Sequence, residues 1–154
     1  MPDRSTVLGI ENMLSGEKKR CWLLRQWTYN STTYKGLPAQ WYYDTTGMFA
    51  YLGTYDTSGA NILAIAFYET SATVKPTPGK YYFVNSAGSN IPNGVSPSQI
   101  CIMEVGPSDN PAVSVGGTAA DTATVSLNSE NKLVIFFSNI AVTGGRKASG
   151  TLIE

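Results

Sequence analysis

The stretch "TATVSLNSENKLVIFFSNI", residues 122–140, decides the fold class. Two runs rich in β-branched, aromatic and threonine residues flank "NSEN", whose Asn and Ser side chains can hydrogen-bond their own backbone in a turn. Such a pair of runs is an antiparallel hairpin. The same grammar extends outward in both directions. Strands are expected at 20–30, 47–55, 62–69, 80–85, 99–106, 112–115 and 148–154, besides the two of the hairpin, which makes about nine. Within 20–30, Leu23, Trp27 and Tyr29 share one face. In 47–55, Phe49, Tyr51 and Tyr55 alternate with Met48, Ala50 and Leu52. The run "ILAIAFYE" at 62–69 is apolar on both faces and is therefore expected to be central. Short strands at this spacing predict an all-β fold, an antiparallel β-sandwich of jelly-roll type.

One segment has the other periodicity. Val7, Ile10, Met13 and Leu14 recur at helical spacing between Ser5 or Thr6 and Gly16, which predicts one short N-terminal helix. The 154 residues then form a single domain, with residues 1–19 as a helical arm.

Composition bounds the function by exclusion. Eleven Lys and Arg balance eleven acids, and the polarity comes mainly from Ser, Thr, Asn and 15 glycines. Zero net charge removes the general electrostatic case for nucleic acid as a partner. No apolar run approaches the ~18 residues that a membrane helix requires, so no membrane insertion is expected. No leader or lipobox is visible. The chain is expected to be an extracellular, cell-surface or virion protein, either mature after removal of a leader or leaving its cell without one. The charges are nonetheless uneven. Arg4, Lys18, Lys19, Arg20, Arg25 and Lys35 crowd the first 35 residues, whereas residues 81–131 hold no Lys or Arg and four acids, Glu104, Asp109, Asp121 and Glu130. A basic and an acidic region could meet within one fold or between copies of it.

The sequence contains no histidine. That removes Ser-His-Asp and Cys-His catalysis and His-ligated zinc. Two cysteines, Cys21 and Cys101, cannot supply a four-ligand zinc site. They are expected as buried free thiols, with a disulfide as the alternative. Glu69 and Glu104 are the one carboxylate pair a glycoside hydrolase could use, but strand-end acids facing water are the plainer reading. Asp56, Ser58 and Asn61, or Asp109 and Asn110, could offer oxygens to calcium. Turn hydrogen bonding explains those residues more simply. No cofactor and no metal are expected, and no enzymatic activity.

Between Pro38 and Gly47 lie three adjacent aromatics, Trp41, Tyr42 and Tyr43. In a strand starting near Gln40, alternation sends Tyr42 to one face and Trp41 with Tyr43 to the other. The reading is one aromatic for the core and two for whatever covers the opposite face. If that cover is a ligand, Gln40, Trp41, Tyr43 and Asp44 are its candidates, with Trp41 stacking on a sugar and Gln40 and Asp44 bonding its hydroxyls. If it is protein, the stretch is an interface.

The second half resembles small β-sandwich domains of secreted or lipid-anchored Bacteroidota proteins, or of phages that infect such bacteria. The matching residues are Gly79 to Phe83, Thr122 to Leu127, Lys132 to Ile140 and Ser149 to Leu152, and "LSGEKKRCWLL" at 14–24 is similar to the opening of such proteins. About half the chain is covered, and no matched motif is catalytic. The resemblance implies a sandwich fold and an extracellular setting.

The expected function is therefore a non-catalytic surface module acting by protein–protein assembly, as a coat, decoration, fibre or filament subunit. Its partners would be further copies of itself or other surface or virion proteins. A carbohydrate-binding module built around Trp41 is the alternative, and a glycoside hydrolase a remote one.

Overall fold

The computed structural model describes residues 25–44, 49–68 and 75–154. The helix expected at 6–15, the arm 1–19, and Cys21, Trp22, Leu23, Met48 and Glu69 lie outside these residues. Everything regular among the described residues is strand, apart from one 3₁₀ turn at Pro97–Gln99. The eleven strands are β1 (Gln26–Tyr29), β2 (Thr32–Lys35), β3 (Gln40–Asp44), β4 (Phe49–Tyr55), β5 (Asn61–Tyr68), β6 (Gly79–Phe83), β7 (Ile100–Pro107), β8 (Ala112–Val113), β9 (Thr122–Leu127), β10 (Leu133–Val142) and β11 (Arg146–Ile153). The all-β expectation stands, with two strands more than the nine expected.

The strands form one hydrogen-bonded sheet in the order β2-β1-β11-β10-β9-β6-β7-β5-β4-β3, with β8 added beside β7. The hydrogen bonding runs on as one sheet, so what the fold shows of the expectation is the all-β class, without two separately bonded layers of a sandwich or jelly roll. The sheet is also mixed. All pairs are antiparallel except β6 and β7, which run parallel through Tyr82↔Ile100 and Phe83↔Cys101. The sheet curls around its own inner face, so strands distant in the order share one core. Trp27, Leu52, Phe67, Phe83, Met103, Ile135, Phe137 and Leu152 all belong to it. One curled sheet thus buries what two facing sheets would.

The curl is joined at a glycine. Residues 32–44 are a single extended run whose first part pairs with β1 and whose second part pairs with β4. Gly36 is the point of change. Its N–H donates to the Arg25 carbonyl at 2.7 Å, while it also bridges to Asp56 just beyond β4. A Cβ at Gly36 would lie 2.9 Å from Trp27 Cζ3, so the corner requires glycine there. Strands that change partners at a bend are how sheets turn corners.

The hairpin 122–140 appears as read. β9 and β10 pair from Leu133↔Leu127 to Phe137↔Ala123, and the turn is closed by Asn128, which accepts from the backbone N–H groups of Glu130 and Lys132. β10 bulges between Phe137 and Ile140 in its pairing with β11. Beyond the bulge, Ser114 bridges to Val142, which ties the chain after β8 to the end of β10.

Candidate functional site

The outer face of β3, β4, β5 and β7 holds the candidate site. Antiparallel register aligns outward residues in rows across the strands. One row is Tyr42, Tyr51, Ala66 and Ile102. The next is Gln40, Gly53, Ala64 and Glu104. A third places Tyr55 opposite Ile62, and a fourth, at the other end, Phe49 opposite Tyr68. Gly53 and Ala64 have almost no side chain, so the second row is a trough between taller neighbours. Together with Thr54 and with Ser86 from the loop after β6, these residues except Gln40 line a groove of about 510 Å³.

Its walls are aromatic and ordered by ring contacts. Tyr42 and Tyr51 stack at 5.3 Å, and Phe49 meets Tyr68 edge-on at 5.5 Å. Both arrangements are favourable pairings of aromatic quadrupoles. Tyr42 and Tyr55 remain 45% and 46% exposed, which leaves a large apolar area open to a partner. This is the surplus of outward apolar residues expected of a sheet with both faces apolar. The sheet's inner face carries the core, with Leu52, Phe67, Met103 and Ile135 fully buried.

The four residues proposed from sequence divide between the two faces. Trp41 and Tyr43 are register partners of Leu52 and Ala50, which are fully buried, so they share the inner face. Gln40 and Asp44 point outward with Tyr42, and Gln40 accepts a 3.3 Å hydrogen bond from the Tyr42 hydroxyl. The alternation is as read, but its sense is inverted: two aromatics face inward and one outward. Trp41 and the two polar residues meant to assist it are therefore on opposite sides of the strand. Tyr43 is still 40% exposed, because β3 is the last strand in the order.

Trp41 is engaged within the chain. It is half-buried, its indole N–H donates to Glu154 Oε1 at 2.6 Å, and Phe67 packs against it with ring centres 6.4 Å apart. Lys75 Nζ lies 5.8 Å from the ring centre and donates to the same Glu154 oxygen at 2.8 Å. Burial pushes the Glu154 carboxyl up, but the hydrogen bonds from Lys75 and Trp41 and the Lys75 charge outweigh it and hold it below its usual value.

The other candidates resolve into structure. Asp56 Oδ1 accepts from the Asn61 N–H and the Ser58 hydroxyl, and Oδ2 from the Ser58 hydroxyl and the Asn61 side-chain amide. Those lone pairs are spent on the turn. Asn110 N–H donates to the Pro107 carbonyl in the turn after β7. Among the described residues no three His, Cys, Asp or Glu side chains come together as a metal site would require. Cys101 is a free thiol with no solvent exposure, and burial pushes its pKa well up. A thiol held protonated in an apolar interior is a core residue. Glu104 is exposed at the groove, and Glu69, its suggested catalytic mate, lies outside the described residues.

No family model, curated protein or solved structure matches this chain. Its function has to be argued from its own surface.

Proposed function

We infer that this chain is a non-catalytic binding module that works by protein–protein assembly through the outer face of β3, β4, β5 and β7. The observation that carries the reading is the groove with its exposed Tyr42 and Tyr55. Contiguous apolar surface rimmed by polar residues marks interaction sites, and tyrosine is favoured at interfaces because it offers apolar area and a hydroxyl together. A sequence without histidine supports the non-catalytic part. The uncharged polar composition and the likeness of the second half to Bacteroidota β-sandwich domains favour a cell-surface or virion setting, in a coat, decoration, fibre or filament.

Size-exclusion chromatography with light scattering tests this. The wild-type chain should form oligomers whose mass rises with concentration, and Tyr42→Ser with Tyr55→Ser should return it to monomer. A monodisperse monomer at millimolar concentration, with no partner recovered, overturns the assembly reading.

A second reading has its own support. A small-floored trough between aromatic walls with one carboxylate also suits the apolar face and hydroxyls of a sugar. On this reading the carbohydrate site is Tyr51, Tyr55 and Glu104 rather than Trp41. A glycan array without hits removes it.

A further inference from the structure

The groove has a charge character that narrows its partner. Among the described residues lining it there is no Lys or Arg, and the one carboxylate is Glu104, next to Ala64 in the trough row. The flanking sequence from 81 to 131 contains no cation either. Among the described residues Glu104 takes no ion pair or hydrogen bond through its side chain, although Asp56 and Glu154 are both engaged. An anion entering the groove would meet an unopposed carboxylate. A purely apolar chain would strip water from that carboxylate without replacing its hydrogen bonds, which is costly. A cation carried on an apolar stem avoids both penalties.

We propose that the trough is a docking site for a lysine- or arginine-bearing segment of a protein partner. The proposal rests on the assembly reading above and names its chemistry. The stem of the side chain lies over Ala64 and Ala66 between Tyr51 and Ile62, covering apolar surface as such stems do. Its charged head reaches Glu104. The tyrosine faces, negative at the ring centre, favour the cation further. Gly53 and Ala64 in the trough row, and Ala66 in the row beside it, are what make room for the stem; a larger side chain at these positions would fill the trough.

Nuclear magnetic resonance on the full-length chain, labelled at tyrosine, tests the proposal with three blocked pentapeptides. These are Ala-Leu-Lys-Leu-Ala and its counterparts with norleucine or glutamate at the centre. The lysine peptide should shift the Tyr42, Tyr51 and Tyr55 signals saturably, and the norleucine peptide should bind about five-fold more weakly or worse. Glu104→Gln should abolish that preference while leaving the fold intact. Ala64→Leu should block all three peptides, and Tyr51→Ser replaces it if Ala64→Leu does not fold. Equal binding of lysine and norleucine peptides overturns the proposal. So does a preference that survives Glu104→Gln, or a neutral oligosaccharide that moves these tyrosines when the lysine peptide does not. The two readings fail separately: loss of oligomers in Tyr42→Ser without any lysine preference leaves assembly standing and removes the cation, whereas lysine binding by a strict monomer does the reverse.

Discussion

Single residues set the tolerances of this sheet. Gly150 lies opposite Trp27 in the β1–β11 pair and opposite Phe137 in the β10–β11 pair. A Cβ there would fall 2.5 Å from Trp27 Cβ and 2.8 Å from its Cα, where no side-chain rotation gives relief. Gly150→Ala should therefore cost about 2–3 kcal/mol, the upper range for overpacking, measured as a lower urea midpoint. Asp56 makes a different contribution. Burial pushes its carboxyl up, but hydrogen bonds from the Asn61 N–H, the Ser58 hydroxyl, the Asn61 amide and the Ala60 N–H outweigh burial and hold it below the ordinary 3.8. A carboxyl held lower in the folded chain than in the unfolded one stabilises above the unfolded value, and that stability is lost as pH falls through the folded one. Asp56→Asn should cost roughly 1 kcal/mol at neutral pH. The variant's loss should shrink as the pH falls from about 5 toward 3, read from urea unfolding at each pH. Glu154 titrates with the same sign, so part of the acid sensitivity should persist in the variant.

At the scale of elements, two features break simple hairpin order, and buried polar groups hold the first of them. β6 comes before β7 yet lies between β7 and β9, so the chain must cross from the end of β6 to the start of β7. Ser114, almost fully buried, locks that crossing. Its hydroxyl donates to the Val84 carbonyl at 2.7 Å and accepts from the Met103 N–H at 3.0 Å. Ser114→Ala leaves both backbone groups unsatisfied in an apolar interior, a loss of about 2–3 kcal/mol. Ser114→Val should do no better, since the missing partner rather than volume is the cause; equilibrium unfolding of both variants checks this. The connecting loop is fastened at the other end by Asn90, which accepts from the Asn85 N–H and donates to the Val115 carbonyl. The corner at Gly36 is the second break. Short, polar "TTYK" at 32–35 carries almost no apolar alternation, and only Tyr34 stacks on Trp27. That strand could not be read locally, because its reason to be extended is its neighbour.

Across the whole molecule, the division between core and groove follows from the curl. A sheet with apolar residues on both faces must cover both, and curling covers most of one of them, leaving Tyr43 at the β3 edge 40% exposed. Phe83 with Phe137 and Phe67 with Tyr81 meet edge-on inside. The outer face of β3, β4, β5 and β7 is left with Tyr42, Tyr51, Tyr55 and Tyr68, and with the groove they wall. Much of this was legible beforehand. The hairpin 122–140, the shared face of Trp27 and Tyr29, the two-sided β5 and the separation of Phe49, Tyr51 and Tyr55 from Ala50 and Leu52 all follow from alternation. The sense of Trp41, Tyr42 and Tyr43 did not, because period two separates faces without saying which one is inside. The groove was not legible either, since Gly53, Ala64 and Glu104 come from three strands and meet only in register.

By itself, the sequence determined that the chain is all-β, which strands pair as the 122–140 hairpin, and that histidine-dependent chemistry is absent. Those are properties of local propensity, short turns and composition, and they need no distant contact. The tertiary structure alone decided that one sheet curls on itself at Gly36, that β6 inserts between β7 and β9, and that Trp41 faces inward while Glu104 overlooks an open trough. Each of these depends on pairing between residues far apart in the chain, where register and closure, rather than the identity of any one segment, determine which face is buried.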